Sequence, residues 1–304
     1  MGLYRALAVA ATAAVALSGV ARAADLLPPP PPPAPYVAPY DPGQSGWYLR
    51  GDVGVAVNRE RMSTSFQDPT FNPVAAGVAI NQQSISDSAY IDAGIGYQFN
   101  SWLRADLTGE YRSEASTHAI ESYTNAQITG APVGTGYCGP LTGANAQTSC
   151  YDSYTGSMRS IDFMANAYVD LGTWYNLTPY VGAGVGVAYN WLGNITDQAG
   201  NNTGFGFSQP KGSTNLAWAL MTGLDYRVNN NLKLELGYRY LNLGSATASP
   251  IICSLLTGCH FEVHKYALSS NDIHLGMLWT FGGEEHVQPV SWGPAPQEPI
   301  VKRF

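Results

Sequence analysis

The chain has 304 residues, 45% of them hydrophobic and only 12% charged, about half the usual charged share. A formal charge of −7 without any basic run argues against a nucleic-acid partner. Mean hydropathy is near zero, at −0.09, and no apolar run past the first 23 residues approaches the roughly 18 that a membrane helix needs.

Residues 1–23 have the three parts of an export peptide: Arg5 near the start, an apolar stretch from Leu7 to Val20, and Ala21-Arg22-Ala23 in the A-x-A form that a signal peptidase cuts after. Residues 24–45, with six consecutive prolines from Pro28 to Pro33, are expected to form an extended polyproline spacer in the periplasm. The segment 46–281 alternates. In 47–58 one phase holds Trp47, Leu49, Val53, Val55 and Val57, and the other holds Tyr48, Arg50, Asp52 and Asn58. Segments 86–99, 102–112, 157–171, 177–190, 213–228, 231–243 and 269–281 alternate in the same way, with a period of two that predicts strands.

The connections order these eight segments. Asn100-Ser101, 172–176 and Asn229-Asn230 are hairpin turns, whereas 59–85, 113–156, 191–212 and 244–268 are long loops. Strict alternation of short turns with long loops predicts an all-β fold: an eight-stranded antiparallel transmembrane β-barrel with long extracellular loops and Pro-rich periplasmic flanks. A soluble sandwich would put its apolar phase inside. Against that, the aromatics of the apolar phase gather at its ends. Trp47, Tyr97, Phe99, Tyr226, Trp279 and Phe281 lie near the short turns, and Tyr111, Tyr189, Trp218, Tyr238 and Tyr240 lie nearer the long loops. Two such girdles bounding an aliphatic band are what bilayer interfaces select.

Eight strands enclose an interior that side chains about fill. The phase expected inside carries a lumen charge network of Arg50, Asp52, Asp92, Arg104, Asp106, Glu110, Asp162, Asp225, Arg227, Glu235, Arg239 and Asp272, joined by Arg112, Asp170, Lys233 and His274. Pairing and water should satisfy these charges, because an unpaired buried charge is costly. Small inward residues (Gly94, Gly96, Gly182, Gly184, Gly186) leave room opposite bulky partners and, at most, a thin water path.

Cys138 and Cys150 lie in one loop, and Cys253 and Cys259 in another, so sequence distance favours one disulfide within each. A metal site is the competing reading of the second pair, with Glu262, His260 and His264 beside Cys259, but the spacing fits no standard zinc pattern. No cofactor is expected. The tail 282–304 is Pro-rich and polar and is expected in the periplasm.

The strand from His274 to Phe281 resembles the assembly signal of bacterial outer-membrane proteins, with His274, Gly276, Trp279 and Phe281 at its polar, glycine and two aromatic positions. In that resemblance the barrel-assembly machinery reads the strand; the departure is that 282–304 follow it. Residues 46–281 resemble the small outer-membrane β-barrels of alphaproteobacteria, OmpA-like surface antigens of the porin family, as do Ala23-Ala24-Asp25-Leu26 and the proline run before them. The resemblance implies a cell outer-membrane location and a structural role in envelope integrity, with surface-exposed loops and at most a narrow pore for small solutes. It implies as partners outer-membrane lipid and lipopolysaccharide, with peptidoglycan or a host surface ligand as further candidates. The alternative function is adhesion or ligand capture through the disulfide-pinned loops. A lipid-modifying enzyme is least expected: neither G-x-S-x-G nor H-E-x-x-H occurs after residue 23, and four of the five histidines (His118, His260, His264, His286) lie off the eight strands.

Overall fold

The computed structural model describes residues 45–281, apart from 70, 75, 128–129, 145, 201–203 and 254–260. The expected export peptide, the spacer up to residue 44 and the tail from 282 lie outside the described residues. The described chain forms β1 (Gly46–Phe66), β2 (Ala79–Ile85), β3 (Ser88–Gln98), β4 (Leu103–Thr124), β5 (Thr135–Gly136), β6 (Gly139–Pro140) and β7 (Ser149–Asp170). It continues with β8 (Leu177–Leu192), β9 (Thr196–Ala199), β10 (Phe205–Phe207), β11 (Lys211–Arg227), β12 (Leu232–Thr247), β13 (Ile252–Cys253) and β14 (Glu262–Thr280).

Eight of these strands close a ring. In order around it they are β1, β3, β4, β7, β8, β11, β12 and β14, every neighbour antiparallel, with β14 returning to β1 through Tyr48↔Thr280 to Phe66↔Glu262. In the membrane half this closure leaves no unpaired edge, which hydrocarbon would not tolerate. The tight turns follow from their sequence. Asn100 Oδ1 accepts from the Trp102 and Leu103 amides at 3.0 and 2.8 Å, and Asn229 Oδ1 accepts from the Asn231 and Leu232 amides at 2.9 Å each. Both are side-chain mimics of a backbone turn.

The staves are longer than alternation alone predicts. β4 and β7 have 22 residues each and β1 has 21, where roughly 9–11 cross a membrane. At about 3.3 Å per residue a 22-residue strand is about 70 Å long, and even tilted it overshoots the bilayer by several turns of pleat. The surplus lies at the long-loop end and forms an extracellular cuff, to which β2, β9, β10 and β13 add short pairings. The four segments expected as loops are therefore about half strand, with loops between the extensions. Two bulges mark the change of level: the β4–β7 register shifts between Arg112 and Ala115, and the β12–β14 register between Asn242 and Gly244. Gly244 sits at φ +76°, a conformation that glycine adopts without steric cost.

The lower half of the barrel is inverted relative to a soluble protein. On β14, Ile273, Leu275 and Met277 are 50–63% exposed, while Asp272 and His274 are at most 5% exposed. Trp47, Phe99, Tyr226, Trp279 and Phe281 ring the short-turn end on the outside, and Tyr111, Tyr189, Trp218 and Tyr238 ring the other limit. Trp47 and Tyr97 meet edge to face at 5.2 Å, as do Tyr97 and Phe99.

Candidate functional site: the lumen and the extracellular cuff

The lumen of the membrane half holds two ionic layers. In the layer nearer the short turns, Arg104 is fully buried and lies 3.2 Å from Asp170, 3.1 Å from Asp225 and 3.6 Å from Glu235. Its guanidinium lies against the Tyr168 and Tyr180 rings at 4.7 and 4.8 Å, the two rings themselves meeting edge to face at 5.6 Å, contacts that favour a planar cation. Beside it Arg50 reaches Asp52 at 2.7 Å, Asp106 at 3.1 Å and Glu235 at 2.9 Å, and donates to the Tyr168 hydroxyl at 2.7 Å. In the second layer Arg112 pairs with Glu110 at 2.6 Å and Asp272 at 2.5 Å, and Arg239 pairs with Glu110, with Asp272 at 2.9 Å and with Asp92 at 4.0 Å. Both guanidinium groups lie over the Tyr90 ring, at 5.1 and 5.0 Å.

The register explains why two arginines are needed there. Asp52, Asp92, Glu110 and Asp162 come opposite one another on four consecutive staves, and like charges placed so repel. Asp162 is fully buried, and neither of its carboxylate oxygens has a hydrogen-bond partner. Arg227, placed by its phase among the inward charges, is instead exposed: it is the last residue of β11, where the strand leaves the barrel. Lys233 is half-buried one level below the first layer and donates to Gln98 Oε1 at 3.3 Å.

Tyrosines close the gaps between the ionic groups, and the sequence reading left them out. Tyr48, Tyr168 and Tyr180 are 1% exposed. Tyr48 fills the space of the absent side chain at Gly96, and Tyr168 that at Gly182. The signal was available: Tyr48 shares the phase of Arg50, and Tyr168 that of Asp170. Among the described residues, two voids between these side chains are small. One lined by Asp52, Tyr90, Asn166 and His274 has about 10 Å³, and one by Ser88, Arg112, Met158 and Leu268 has about 20 Å³, each room for about one water.

The residues resembling the assembly signal have their own neighbours in the barrel. His274 Nε2 lies 2.9 Å from Glu235 Oε1. Gly276 faces Asp52 and Glu235, and a Cβ there would sit 3.3 Å from the Glu235 Cβ. Trp279 is on the outer girdle, and the Phe281 amide donates to Trp47 O at 2.8 Å. Asp52, Glu235 and His274 could bring three ligand atoms within 4.8 Å of one another, but the Arg50 guanidinium already serves both carboxylates there and repels a metal ion.

The cuff reverses the sidedness. Its interior is apolar, with Met62, Met158, Leu192, Ile195, Leu243, Ile251 and Leu268 buried together, and its outer phase carries exposed Arg59, Arg61, Arg159, Lys211 and Lys265. Above this apolar plug five carboxylates gather that the sequence reading left in loops. Glu262 accepts from the Tyr123 and Tyr154 hydroxyls at 2.7 Å each and lies 3.5 Å from His264 Nε2. Burial pushes its pKa up, but the His264, Tyr154 and Tyr123 partners outweigh this and hold it below the usual value. Glu121 and Asp152 have weaker support, a single hydroxyl each from Thr64 and Tyr123 respectively, and this does not offset their burial. Burial first, and then the charge of neighbouring acids, pushes Glu121 and Asp152 up to about 7 and Asp197 up to about 8. Burial also pushes Glu60 up to about 7.

The loop 125–148 is pinned at its base. Cys138 and Cys150 form a disulfide across a separation of 12 residues. Asn125 Oδ1 accepts from the Cys138 amide at 2.9 Å, and its Nδ2 donates to Gln147 O at 2.8 Å. Phe71, Ala76, Tyr123 and Cys138 pack beneath. Cys253 is disulfide-bonded; Cys259, expected as its partner, and His260 lie outside the described residues.

A family model described as "Outer membrane protein beta-barrel domain" matches residues 9–281. An uncharacterized protein of Brucella abortus is 32% identical over 222 residues, covering 68% of this chain and 71% of its own. A Rickettsia prowazekii protein that bears the name "Putative adhesin" is 28% identical over 199 residues, 65% of this chain and 72% of its own. Among solved structures, the outer membrane protein OprG of Pseudomonas aeruginosa aligns over 79% of this chain and 97% of its own, at 13% identity and a TM-score of 0.46.

Proposed function

Since the chain belongs to the outer membrane protein beta-barrel domain family and lies in a Gram-negative outer membrane, we propose that it is a structural barrel with a sealed lumen whose working surface is the extracellular cuff. The observation that carries this reading is the filling of the lumen among the described residues: two layers of paired arginines and acids with tyrosines between them, and voids of about 10 and 20 Å³ between these side chains. A wide aqueous channel takes roughly 16 or more strands. Purified protein in a planar bilayer is expected to give no conductance steps; regular steps would replace this reading with a diffusion pore. We assign no catalytic chemistry.

In this reading the barrel's partners are lipid along the band from Trp47 to Val57 and lipopolysaccharide phosphates above it. Exposed Arg59, Arg61, Arg159, Lys211 and Lys265 sit just beyond the upper girdle on the outer face, where such phosphates lie. The His274, Gly276, Trp279 and Phe281 pattern serves as the assembly signal, and its aromatic half is free on the outer girdle to be read. Contact of the flanks with peptidoglycan belongs to the same structural role.

The second reading is adhesion to a host surface. It is favoured by the disulfide-pinned loop 125–148 at the top of the cuff, since pinned surface loops commonly carry binding, and by the name of the Rickettsia relative. Cells displaying the protein with residues 127–147 replaced by a short Gly-Ser turn should lose binding to host matrix if this reading holds, with heat-modified gel mobility unchanged. Equal binding by both forms would leave the structural role alone.

A further inference from the structure

Among the described residues the cuff lacks backbone pairing between neighbouring staves at two places: above Trp218↔Asn242, where Asn215 and Ser213 side chains bridge β11 to β12, and between β1 and β2, where carboxylates take part. β1 pairs with β3 only from Gly46 to Ala56, and β2 pairs with β4. Between the upper part of β1 and β2 no backbone pairing forms among the described residues. Side chains bridge the seam instead. Thr64 Oγ1 on β1 donates to Glu121 Oε2 on β4 at 2.7 Å; Thr117 Oγ1 on β4 donates to Glu60 on β1 at 2.8 Å; and the Met62 amide donates to Gln83 Oε1 at 2.7 Å. Two of these three bridges end on a carboxylate.

The charge around the seam is one-sided. β1 contributes Glu60; β4, Glu121 and Tyr123; β7, Asp152 and Tyr154; β9, Asp197; and β14, Glu262, His264 and Tyr266. β2, with the sequence AINQQSI, has no titratable side chain. The nearby cations Arg59, Arg61 and Lys265 are on the outer phase and exposed, and His118 points its Nδ1 to Tyr154 O. Glu121 is fully buried, and its Oε1 has no hydrogen-bond partner; the Asp197 Oδ1 is without one as well. A groove of about 380 Å³ runs along the seam, lined by Met62, Phe66, Val74, Val78 and Ile80, with Glu121 at its floor.

We propose that the β1–β2 seam is a proton-held latch: protons on its carboxylates keep the upper half of β1 clasped to β4, and their loss parts the seam and opens the groove onto the inside of the cuff. An ionised Glu121 leaves a charged oxygen buried without a donor, which only water entering through the groove can satisfy. It also adds repulsion from Glu262, Asp152 and Asp197, with no arginine or lysine to offset it. The sign follows from the protons held. In the closed seam Glu60 and Glu121 titrate at about 7, and once hydrated they return toward about 4.3. The closed form therefore binds more protons, and its stabilisation is full below the lower value and lost as pH rises to the upper one. Glu262, held low by His264 and the two tyrosines, acts oppositely and sets the acid limit of the latch.

Nitroxides at Ser63→Cys on β1 and Gln82→Cys on β2, both exposed positions, test this on the full chain in phospholipid vesicles. Dipolar broadening between them should be strong at about pH 5 and lost at about pH 8.5, reversibly. Replacing Glu60 and Glu121 together by Gln keeps the acceptor oxygens and removes the charge, and should keep the broadening at both pH values. Should that variant fail to show heat-modified mobility, Glu121→Gln alone should raise the pH at which broadening is lost. Unchanged broadening across the range in the parent, or opening in the Gln variant at the parent's pH, overturns the proposal.

Discussion

The two halves of this barrel are made by the same staves and have opposite sidedness. On β1, Val53 and Val55 face out and Asp52 faces in; one level up, Arg61 and Ser63 face out and Met62 faces in. The strand keeps its pleat throughout, since successive side chains must point to opposite faces. What changes is the medium. Where lipid surrounds the barrel, apolar side chains cover the outside and the charges have only one another inside. Where water surrounds it, the hydrophobic effect returns apolar side chains to the interior. A strand 21 residues long crosses both regimes.

The comparison breaks hardest in the lumen. Arg104→Ala leaves Asp170, Asp225 and Glu235 without their shared cation in a buried layer, and removing one partner of a buried ionic group costs about 3–5 kcal/mol. Urea unfolding of vesicle-inserted protein, followed by gel mobility, should register that loss. A change below about 1 kcal/mol would mean that the lumen is wetter than its packing implies. Leu275→Arg tests the outside of the same half. Leu275 is 63% exposed in the middle of the lipid band, where an arginine costs about 2–4 kcal/mol.

The lower half was legible in the sequence because lipid enforces a greasy phase. From Leu103 to Tyr111 and from Ile273 to Phe281 every second residue is apolar, glycine or alanine, and the tight turns between staves carry their own asparagine signals. The cuff was hidden for the complementary reason. Past Asn58 the outer phase of β1 becomes Arg59, Arg61, Ser63 and Ser65, so alternation in polarity fades although the strand runs on to Phe66. On β4 the bulge between Arg112 and Ala115 flips the phase, so Glu121 and Tyr123 fall out of step with Asp106 and Glu110. Which acid meets which arginine was never in the sequence, because the layers join staves as far apart as β1 and β12, where Arg50 meets Glu235. Arg227 failed at a strand end, where phase no longer implies enclosure.

Cuff and barrel should also separate in stability. Replacing Cys138 and Cys150 by Ser removes a closure of 12 residues, worth about 3 kcal/mol in the chain-entropy account. The effect is expected to be confined to the loop they pin. Limited proteolysis should cut within 125–148 many times faster, while urea unfolding of the vesicle-inserted barrel stays where it was. Parallel loss of both would mean that the cuff and the membrane half fold as one unit.

The smallest expected effect is the sharpest test of what sets sidedness. Thr155 on β7 is exposed on the outer phase, as Leu275 is on β14, and both stand on full staves of the same ring. Only the medium outside them differs, since Thr155 lies above the girdle. Thr155→Arg should therefore shift unfolding by less than about 0.5 kcal/mol, as for an ordinary surface substitution. Measured beside Leu275→Arg in the same urea titration, the two arginines give the cost of lipid contact with strand geometry held constant. Equal costs at the two positions would place the bilayer higher on the cuff than the Tyr111–Tyr189–Trp218 girdle allows, with the upper outer face wet by lipid as well.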